Sequence, residues 1–179
     1  MTIDSLAKQG ASKLYTNLAG RAYDEVLFKR KELYNMMFST ENEEQHKKEL
    51  VATIKDVNYI NDACSINTNI TWFTMEQISS RIIWIVEDNY GNVDYSSLMS
   101  ISREKVGGLI YFGNNTEMVK KTFQGIIPMI LPVNNINEAV LLAGAMAEEK
   151  DVVLFSPANG LKEDIEKRGI EYRNAVNNL

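Results

Sequence analysis

Residues 137–157, NEAVLLAGAMAEEKDVVLFSP, decide the fold class because they place a helical pattern directly before an apolar strand. Ala139, Leu142 and Met146 recur at three- and four-residue steps, which is the spacing of one helix face. The run at 151–157 is continuous in Val, Leu and Phe, which is typical of a strand buried between two layers. A helix followed at once by a buried strand indicates an α/β domain with parallel strands.

The same alternation extends outward from this stretch. Runs rich in Ile and Val predict strands at residues 81–87, 106–113, 126–133 and 151–157, after two short β-like runs on either side of Lys55-Asp56. Helical patterns lie between them at residues 67–79, 94–105, 115–124, 135–149 and 161–177. The sequence therefore predicts an α/β domain whose mostly parallel sheet has helices on both faces.

The N-terminal part has a different pattern. Apolar residues at steps of four predict a helical segment over residues 1–39, with a stripe made of Leu14, Leu18, Ala22 and Val26. A polar stretch, STENEEQHKKE, then leads into the α/β domain, residues 40–179. An isolated amphipathic segment is marginal in water, so the stripe must be covered. We expect a homo-oligomer or a protein partner to bind through these helices.

Composition excludes several classes of protein. The net charge of -5 and the pI of about 5.0 argue against nucleic acid as a partner. A single Cys excludes an internal disulfide and a zinc cluster within these residues and fits a reducing compartment. No stretch approaches eighteen apolar residues, so we expect no membrane partner and a cytoplasmic location.

Ligands of parallel sheets bind beyond the carboxyl ends of the strands. Polar residues follow the predicted strands at Asn61-Asp62, Glu87-Asp88, Gly113-Asn114 and Ser156-Pro157. Asp62 has two possible roles. It either binds a ligand hydroxyl or has a structural role, in which it caps a helix or orders the loop, and we favour the structural role.

Three further sites also have a structural interpretation and a functional one. We expect Cys64 to be a small buried side chain rather than a nucleophile. We expect His46 to be solvated or packed against the protein rather than to bind a metal ion. Glu87, Asp88 and Asp94 are expected to form a solvated acidic loop, so no metal site is predicted.

Five stretches, in order, carry a family resemblance: QHKKELVATIKDVNYINDACSINTNITWFTME (45–76), IIWIVEDNYGNVDYSSL (82–98), EKVGGLIYFG (104–113), DVVLFSPANG (151–160) and EKRGIEYRNAVNNL (166–179). Together they resemble the C-terminal domain of the Mur ligases, closest to the muramoylalanine:D-glutamate ligase. The resemblance implies a Rossmann-like third domain over residues 40–179. Residues 1–36 have no counterpart in that domain, and the resemblance does not account for them.

The resemblance also implies a chemistry, in which ATP phosphorylates a carboxylate and an amine then attacks the acyl phosphate. That chemistry needs preorganised cations. These residues contain no G-x-x-x-x-G-K-[ST], and Cys64 stands where the family has lysine. A second family lysine is missing from the stretch at 87–92, and the family's hinge arginine is replaced by Lys47. Losing one such stabiliser costs about 10² to 10³ in rate.

The resemblance leaves a vestigial ligand-binding set without catalytic residues, consisting of Lys47, Asn61, Asp62, Asn67 and Ser156. We predict no ligase activity and no required cofactor, with ATP binding weak at most. The preferred function is a non-catalytic binding or assembly module. Two alternatives stay open: a weak binder of nucleotide or UDP-muramoyl-peptide, and the third domain of a ligase that a partner chain completes.

Overall fold

The computed structural model describes residues 46–91 and 93–179, together with Glu25, Phe28 and Lys29. These three are helical, Glu25 and Lys29 form an ion pair at 2.9 Å, and Phe28 is 60% exposed. The predicted stripe at Leu14, Leu18, Ala22 and Val26, and with it the expected interface, lies outside the described residues.

Backbone contacts divide the chain into two units, Met1–Ser39 and Thr40–Leu179. The described residues of the second unit form six strands: β1 (Glu49–Ile54), β2 (Val57–Asn61), β3 (Ile82–Glu87), β4 (Val106–Phe112), β5 (Ile130–Pro132) and β6 (Val152–Phe155). Its α-helices are α1 (Thr68–Glu76), α2 (Met99–Lys105), α3 (Glu117–Phe123), α4 (Ile136–Met146) and α5 (Ile165–Asn177). Short 3-10 turns at Ser96–Leu98 and Lys162–Asp164 precede α2 and α5.

The six strands form one sheet in the order β1-β2-β6-β3-β4-β5. Only β1 is antiparallel to its neighbour, and the other four pairings are parallel. The β1–β2 hairpin turns at Lys55 and Asp56, whose φ angles of 51° and 61° fit a two-residue type I′ turn. The predicted α/β class and mostly parallel sheet are therefore confirmed.

Both faces of the sheet carry helices. On one face, α4 and α5 cover a core that includes Ile83, Phe155 and Tyr172, with Phe155 and Tyr172 stacked at 5.1 Å between ring centroids. Because side chains alternate along a strand, Trp84 faces the opposite side. There it meets Phe123 of α3 edge to face, with the centroids 5.3 Å apart. The buried runs of the sequence thus form a sheet between two helical layers.

One predicted strand is shorter than expected. The sequence indicated a strand over residues 126–133, but β5 covers only Ile130–Pro132. Gly125 turns the chain with a φ of 79°, and Pro128 has no amide hydrogen to give to the sheet. Pro132 is accommodated because β5 lies at the edge of the sheet.

Candidate functional site

The carboxyl ends of β2, β6, β3 and β4 meet along one side of the sheet, which we call the carboxyl edge. The register pairs Asn61 with Phe155 and Phe155 with Ile85, while Glu87 pairs with Phe112. Asp62, Ser156, Asp88 and Asn114 come immediately or shortly after these strand ends. The structure thus places the polar residues that follow the predicted strands along one edge.

Asp62 is fully buried and is bonded within the protein. Its Oδ1 accepts a hydrogen bond from the backbone N–H of Lys48 at 3.1 Å, and its Oδ2 accepts one from the Ser65 hydroxyl. Burial raises the pKa of the Asp62 carboxyl, while the Ser65 hydrogen bond and the Lys48 charge act in the opposite direction. Asp62 therefore orders the loop between the hairpin and α1, whereas helix capping, the structural role that the sequence favoured for it, falls to Asn67.

Asn61 joins three segments of the chain. Its Nδ2 lies 3.0 Å from Nδ1 of His46, 3.2 Å from Oε2 of Glu49 and 3.1 Å from the carbonyl oxygen of Gly169, to which it donates. Its Oδ1 accepts a hydrogen bond from the N–H of Ala63 at 3.3 Å. All of the hydrogen-bonding atoms of this amide are therefore committed to the fold.

His46 is 1% exposed, so the solvated alternative for it is wrong and the packed alternative is right. A Cβ on Gly169 would lie 2.3 Å from Cγ of His46, so this position on α5 has room only for glycine while the ring stays in place. The Nε2 atom of His46 has no hydrogen-bond partner among the described residues.

Ser156 follows β6 and is also buried. Its hydroxyl is hydrogen-bonded to the Thr71 hydroxyl of α1 at 2.8 Å, and its carbonyl oxygen accepts the indole N–H of Trp84 at 2.8 Å. Ser156 thereby ties β6 to α1 and to β3.

Asn67 caps α1. Its side chain accepts hydrogen bonds from the N–H groups of Asn69 and Ile70, both at 3.1 Å, as expected of an N-cap asparagine. Lys47 is half-buried, and Cys64 is 1% exposed. The position of Cys64 matches the small buried side chain that the sequence predicted.

The prediction of a solvated acidic loop is wrong for Asp88, which is fully buried. Its Oδ1 accepts hydrogen bonds from the Gly91 N–H and from Nδ2 of Asn159, both at 2.9 Å, and its Oδ2 accepts one from the Tyr95 hydroxyl at 3.0 Å. Gly113 packs so closely that a Cβ there would lie 2.4 Å from the Asp88 carbonyl oxygen. Asp88 thus connects the loops that follow β3, β4 and β6.

Glu87 lies in a polar pocket of about 210 Å3 whose lining includes Asn159 and Arg168. Burial raises the pKa of the Glu87 carboxyl, and the Arg168 charge opposes that rise. The Arg168 guanidinium donates to the carbonyl oxygens of Asn159 at 3.3 Å and Leu161 at 3.0 Å, so it mainly holds the loop after β6.

Sequence reasoning missed Lys48, the neighbour of the predicted Lys47. The Lys48 ammonium donates to Oε1 of Gln77 at 2.6 Å and lies 5.6 Å from the centre of the Phe73 ring. Burial lowers the pKa of this amine. The contacts with Gln77 and Phe73 join residues more than 20 positions apart, so no local sequence pattern contains them.

Neither a metal site nor a membrane span is found in the described part of the chain. No three His, Cys, Asp or Glu side chains come together there in a way that could hold a metal ion. None of its helices is both long and apolar enough to cross a bilayer.

Relatives of this chain include ligases named UDP-N-acetylmuramoylalanine--D-glutamate ligase. No family model matches the chain. It is 38% identical over 137 residues to the UDP-N-acetylmuramoylalanine--D-glutamate ligase of Porphyromonas gingivalis, an alignment covering 75% of this chain and 30% of that enzyme. It is 31% identical over 183 residues to the same ligase of Christiangramia forsetii, covering 100% of this chain and 41% of that enzyme. The chain spans well under half the length of these relatives.

Among solved structures, a murein peptide ligase from Psychrobacter arcticus matches with a TM-score of 0.53 and 13% identity, over 75% of this chain and 30% of that one. This likeness shows the fold alone. The alignment with the Christiangramia forsetii ligase takes in the whole chain, so the expectation that the family does not account for residues 1–36 is wrong. Those residues have counterparts in that enzyme.

Proposed function

Because the chain carries a partial Mur ligase-like domain, we propose that it is a non-catalytic binding or assembly module linked to peptidoglycan precursor metabolism. The link to peptidoglycan rests on the relatives, which are ligases of UDP-N-acetylmuramoylalanine and D-glutamate by name. The absence of catalysis rests on the chemistry of this chain's own carboxyl edge.

One observation carries the proposal: three polar side chains at the carboxyl edge are hydrogen-bonded to the protein itself. Asn61, Asp62 and Ser156 are each fully buried, and each binds a neighbouring segment. A nucleotide that bound to these side chains would break their hydrogen bonds within the protein. Each buried protein group that lost its partner in this way would cost about 1–3 kcal/mol.

The charge at this edge also disfavours phosphate. Cys64 supplies no cation, and the Lys48 ammonium is engaged with Gln77. Two carboxylates, Glu87 and Asp88, lie at the end of β3, where the family has a glycine-rich stretch. Phosphoryl transfer depends on preorganised positive charge, so this edge is unsuited to it. We accordingly expect no cofactor, with ATP binding weak at most.

A second function has a specific observation in its favour. The chain aligns from end to end with 41% of a ligase, which fits a third domain that works only with the remaining domains, supplied by another chain. In that case the edge would have to bind nucleotide when the complex forms. The two proposals therefore differ in whether ATP binds to the assembled complex.

For the module itself we propose a homo-oligomer or a protein partner in the cytoplasm. The single Cys fits a reducing compartment. The partner-binding segment proposed is residues 1–39, whose apolar stripe requires cover. Nucleic acid is disfavoured by the net charge of -5.

Native mass spectrometry of the full chain, purified without added nucleotide and then titrated with ATP and Mg2+, tests the proposal. We expect one protein assembly whose mass does not change with ATP up to millimolar concentration. A nucleotide adduct at micromolar ATP, or ADP formed with UDP-N-acetylmuramoylalanine and D-glutamate, would defeat it. A Leu14→Asp, Leu18→Asp variant is the matched control for assembly, since a monomer is expected there.

A further inference from the structure

A second concave site, away from Asp62 and Ser156, lies where α4 begins beside α5. This groove has a volume of about 520 Å3, within the range of roughly 300–1,000 Å3 that is typical of small-molecule sites. We call it the amide groove and define it by Phe112, Ile136, Asn137, Glu171, Asn174 and Asn178. None of these residues belongs to the predicted ligand-binding set.

The arrangement of the amide groove follows from helix geometry. Glu171, Asn174 and Asn178 are spaced by three and four residues, which places them on one side of α5 and its C-terminus. Asn137 lies in the first turn of α4, across from them. Ile136 adds apolar surface from the start of α4, whereas Phe112, at the end of β4, belongs to the core and is only 9% exposed.

Three of the amides in this groove are not used by the fold. Asn135, which also lines the groove, accepts a hydrogen bond from the N–H of Glu138 at 3.0 Å and so serves as the N-cap of α4. In contrast, the side chains of Asn137, Asn174 and Asn178 make no hydrogen bond to any other residue that the structure describes. Each amide offers a carbonyl acceptor and two N–H donors. The groove thus presents exposed amide donors and acceptors beside apolar surface.

The lining restricts the chemical class of ligand. Glu171 is its one charged side chain, so an anion would be repelled. A single carboxylate is too little for a hard divalent cation, which takes six or more oxygen ligands in the case of calcium. A purely apolar ligand would strip water from amides without replacing their hydrogen bonds. A neutral ligand with many hydroxyl groups satisfies both the amides and the apolar surface.

We propose that the amide groove binds a neutral carbohydrate, with Asn137, Asn174 and Asn178 hydrogen-bonding its hydroxyl groups and with its C–H face against Ile136. This proposal does not depend on the absence of catalysis. Its site is separate from the buried polar residues on which that argument rests.

Nuclear magnetic resonance of the 15N-labelled full chain, titrated with the neutral disaccharide cellobiose, tests the proposal. We expect saturable shifts in the side-chain NH2 signals of Asn137, Asn174 and Asn178, with a Kd on the order of 10 mM, because exposed hydrogen bonds contribute little each. Glucuronate is expected to bind more weakly, since Glu171 repels its carboxylate.

Two variants, Asn174→Leu and Asn178→Leu, each remove one amide and keep a similar side-chain volume. Each should weaken cellobiose binding about two- to tenfold. Asn69→Leu, on an exposed asparagine of α1, is the matched control and should change nothing. Thermal unfolding verifies that all three variants are folded.

Shifts that do not saturate, shifts outside the groove, or equal binding by all of the variants would overturn the proposal. Tighter binding of inorganic phosphate than of cellobiose would also overturn it. These outcomes leave the question of ligase activity untouched, because the carboxyl-edge residues are unchanged in every variant.

Discussion

Replacing Asp62 with alanine should destabilise the domain strongly, since this carboxylate is a structural acceptor. The substitution removes the acceptor for the Lys48 N–H, at 3.1 Å, and for the Ser65 hydroxyl. Each buried donor left unsatisfied costs about 1–3 kcal/mol. The raised pKa of Asp62 shows that its charge is itself costly to bury, and losing that charge offsets part of the damage. We expect a net loss of about 2–4 kcal/mol.

Asp62→Asn is the informative counterpart of Asp62→Ala. An amide keeps an oxygen for the Lys48 N–H and can donate to the Ser65 hydroxyl, so the expected loss is below about 1 kcal/mol. Asp94→Ala is a control at an exposed aspartate whose Oδ1 accepts a hydrogen bond from the Ser96 N–H. It should also cost less than about 1 kcal/mol.

Urea unfolding followed by tryptophan fluorescence measures these differences, because Trp84 is fully buried at the centre of the sheet. In thermal unfolding, the Tm of the Asp62→Ala variant should fall by about 5–15 °C. If this variant unfolds within about 0.5 kcal/mol of the unmodified chain, Asp62 is not part of the framework, and the reasoning that it is unavailable to a ligand is refuted.

Three further predictions concern the same domain. Burial raises the pKa of the Asp62 carboxyl, so the folded state binds this proton more tightly than the unfolded state does. The stability of the unmodified chain relative to Asp62→Asn should therefore fall as pH rises from about 4 towards neutrality. Urea unfolding across that range measures this difference in stability, and a difference that stayed constant or grew would contradict the assignment. Lys105→Met should lower the free energy of unfolding in urea by about 1–3 kcal/mol, because the Lys105 ammonium donates to three carbonyl oxygens at and just beyond the end of α1, at 2.8–3.1 Å. Lys121→Met, at an exposed lysine, should leave the stability unchanged. Gly169→Ala should lower the Tm, since its Cβ would lie 2.3 Å from the His46 ring, and an unchanged or higher Tm would show that the ring moves aside freely.

The sequence predicted the fold well because the buried strands carry their signal locally. The apolar runs IIWIVE at β3 and VGGLIYF at β4 indicate strands covered on both faces. The two β-like runs on either side of Lys55-Asp56 correspond to β1 and β2. The β5 prediction was too long because apolar residues continue through Pro128, although proline has no N–H for the sheet.

The candidate site was only partly predictable, because burial of a polar residue depends on distant parts of the chain. Asp88 looked like a solvated loop residue in sequence, yet one of its partners, Asn159, is 71 positions away. Asn61 likewise donates to Gly169, which is 108 positions away. No local pattern contains these contacts, so whether an acidic residue is a free ligand group or a framework group could not be determined from the sequence.

A chimaeric ligase tests the central claim most directly, since it supplies everything that these residues lack. In the Porphyromonas gingivalis ligase, the part that aligns with this chain would be exchanged for this chain's matching residues, and ADP formation would be measured with UDP-N-acetylmuramoylalanine and D-glutamate. Two missing cationic stabilisers predict a rate about 10⁴- to 10⁶-fold below the parent enzyme, with Cys64→Lys restoring only part of it. A folded chimaera that turns over within about tenfold of the parent would contradict the account, because the carboxyl edge of this domain would then support ligase chemistry as it stands.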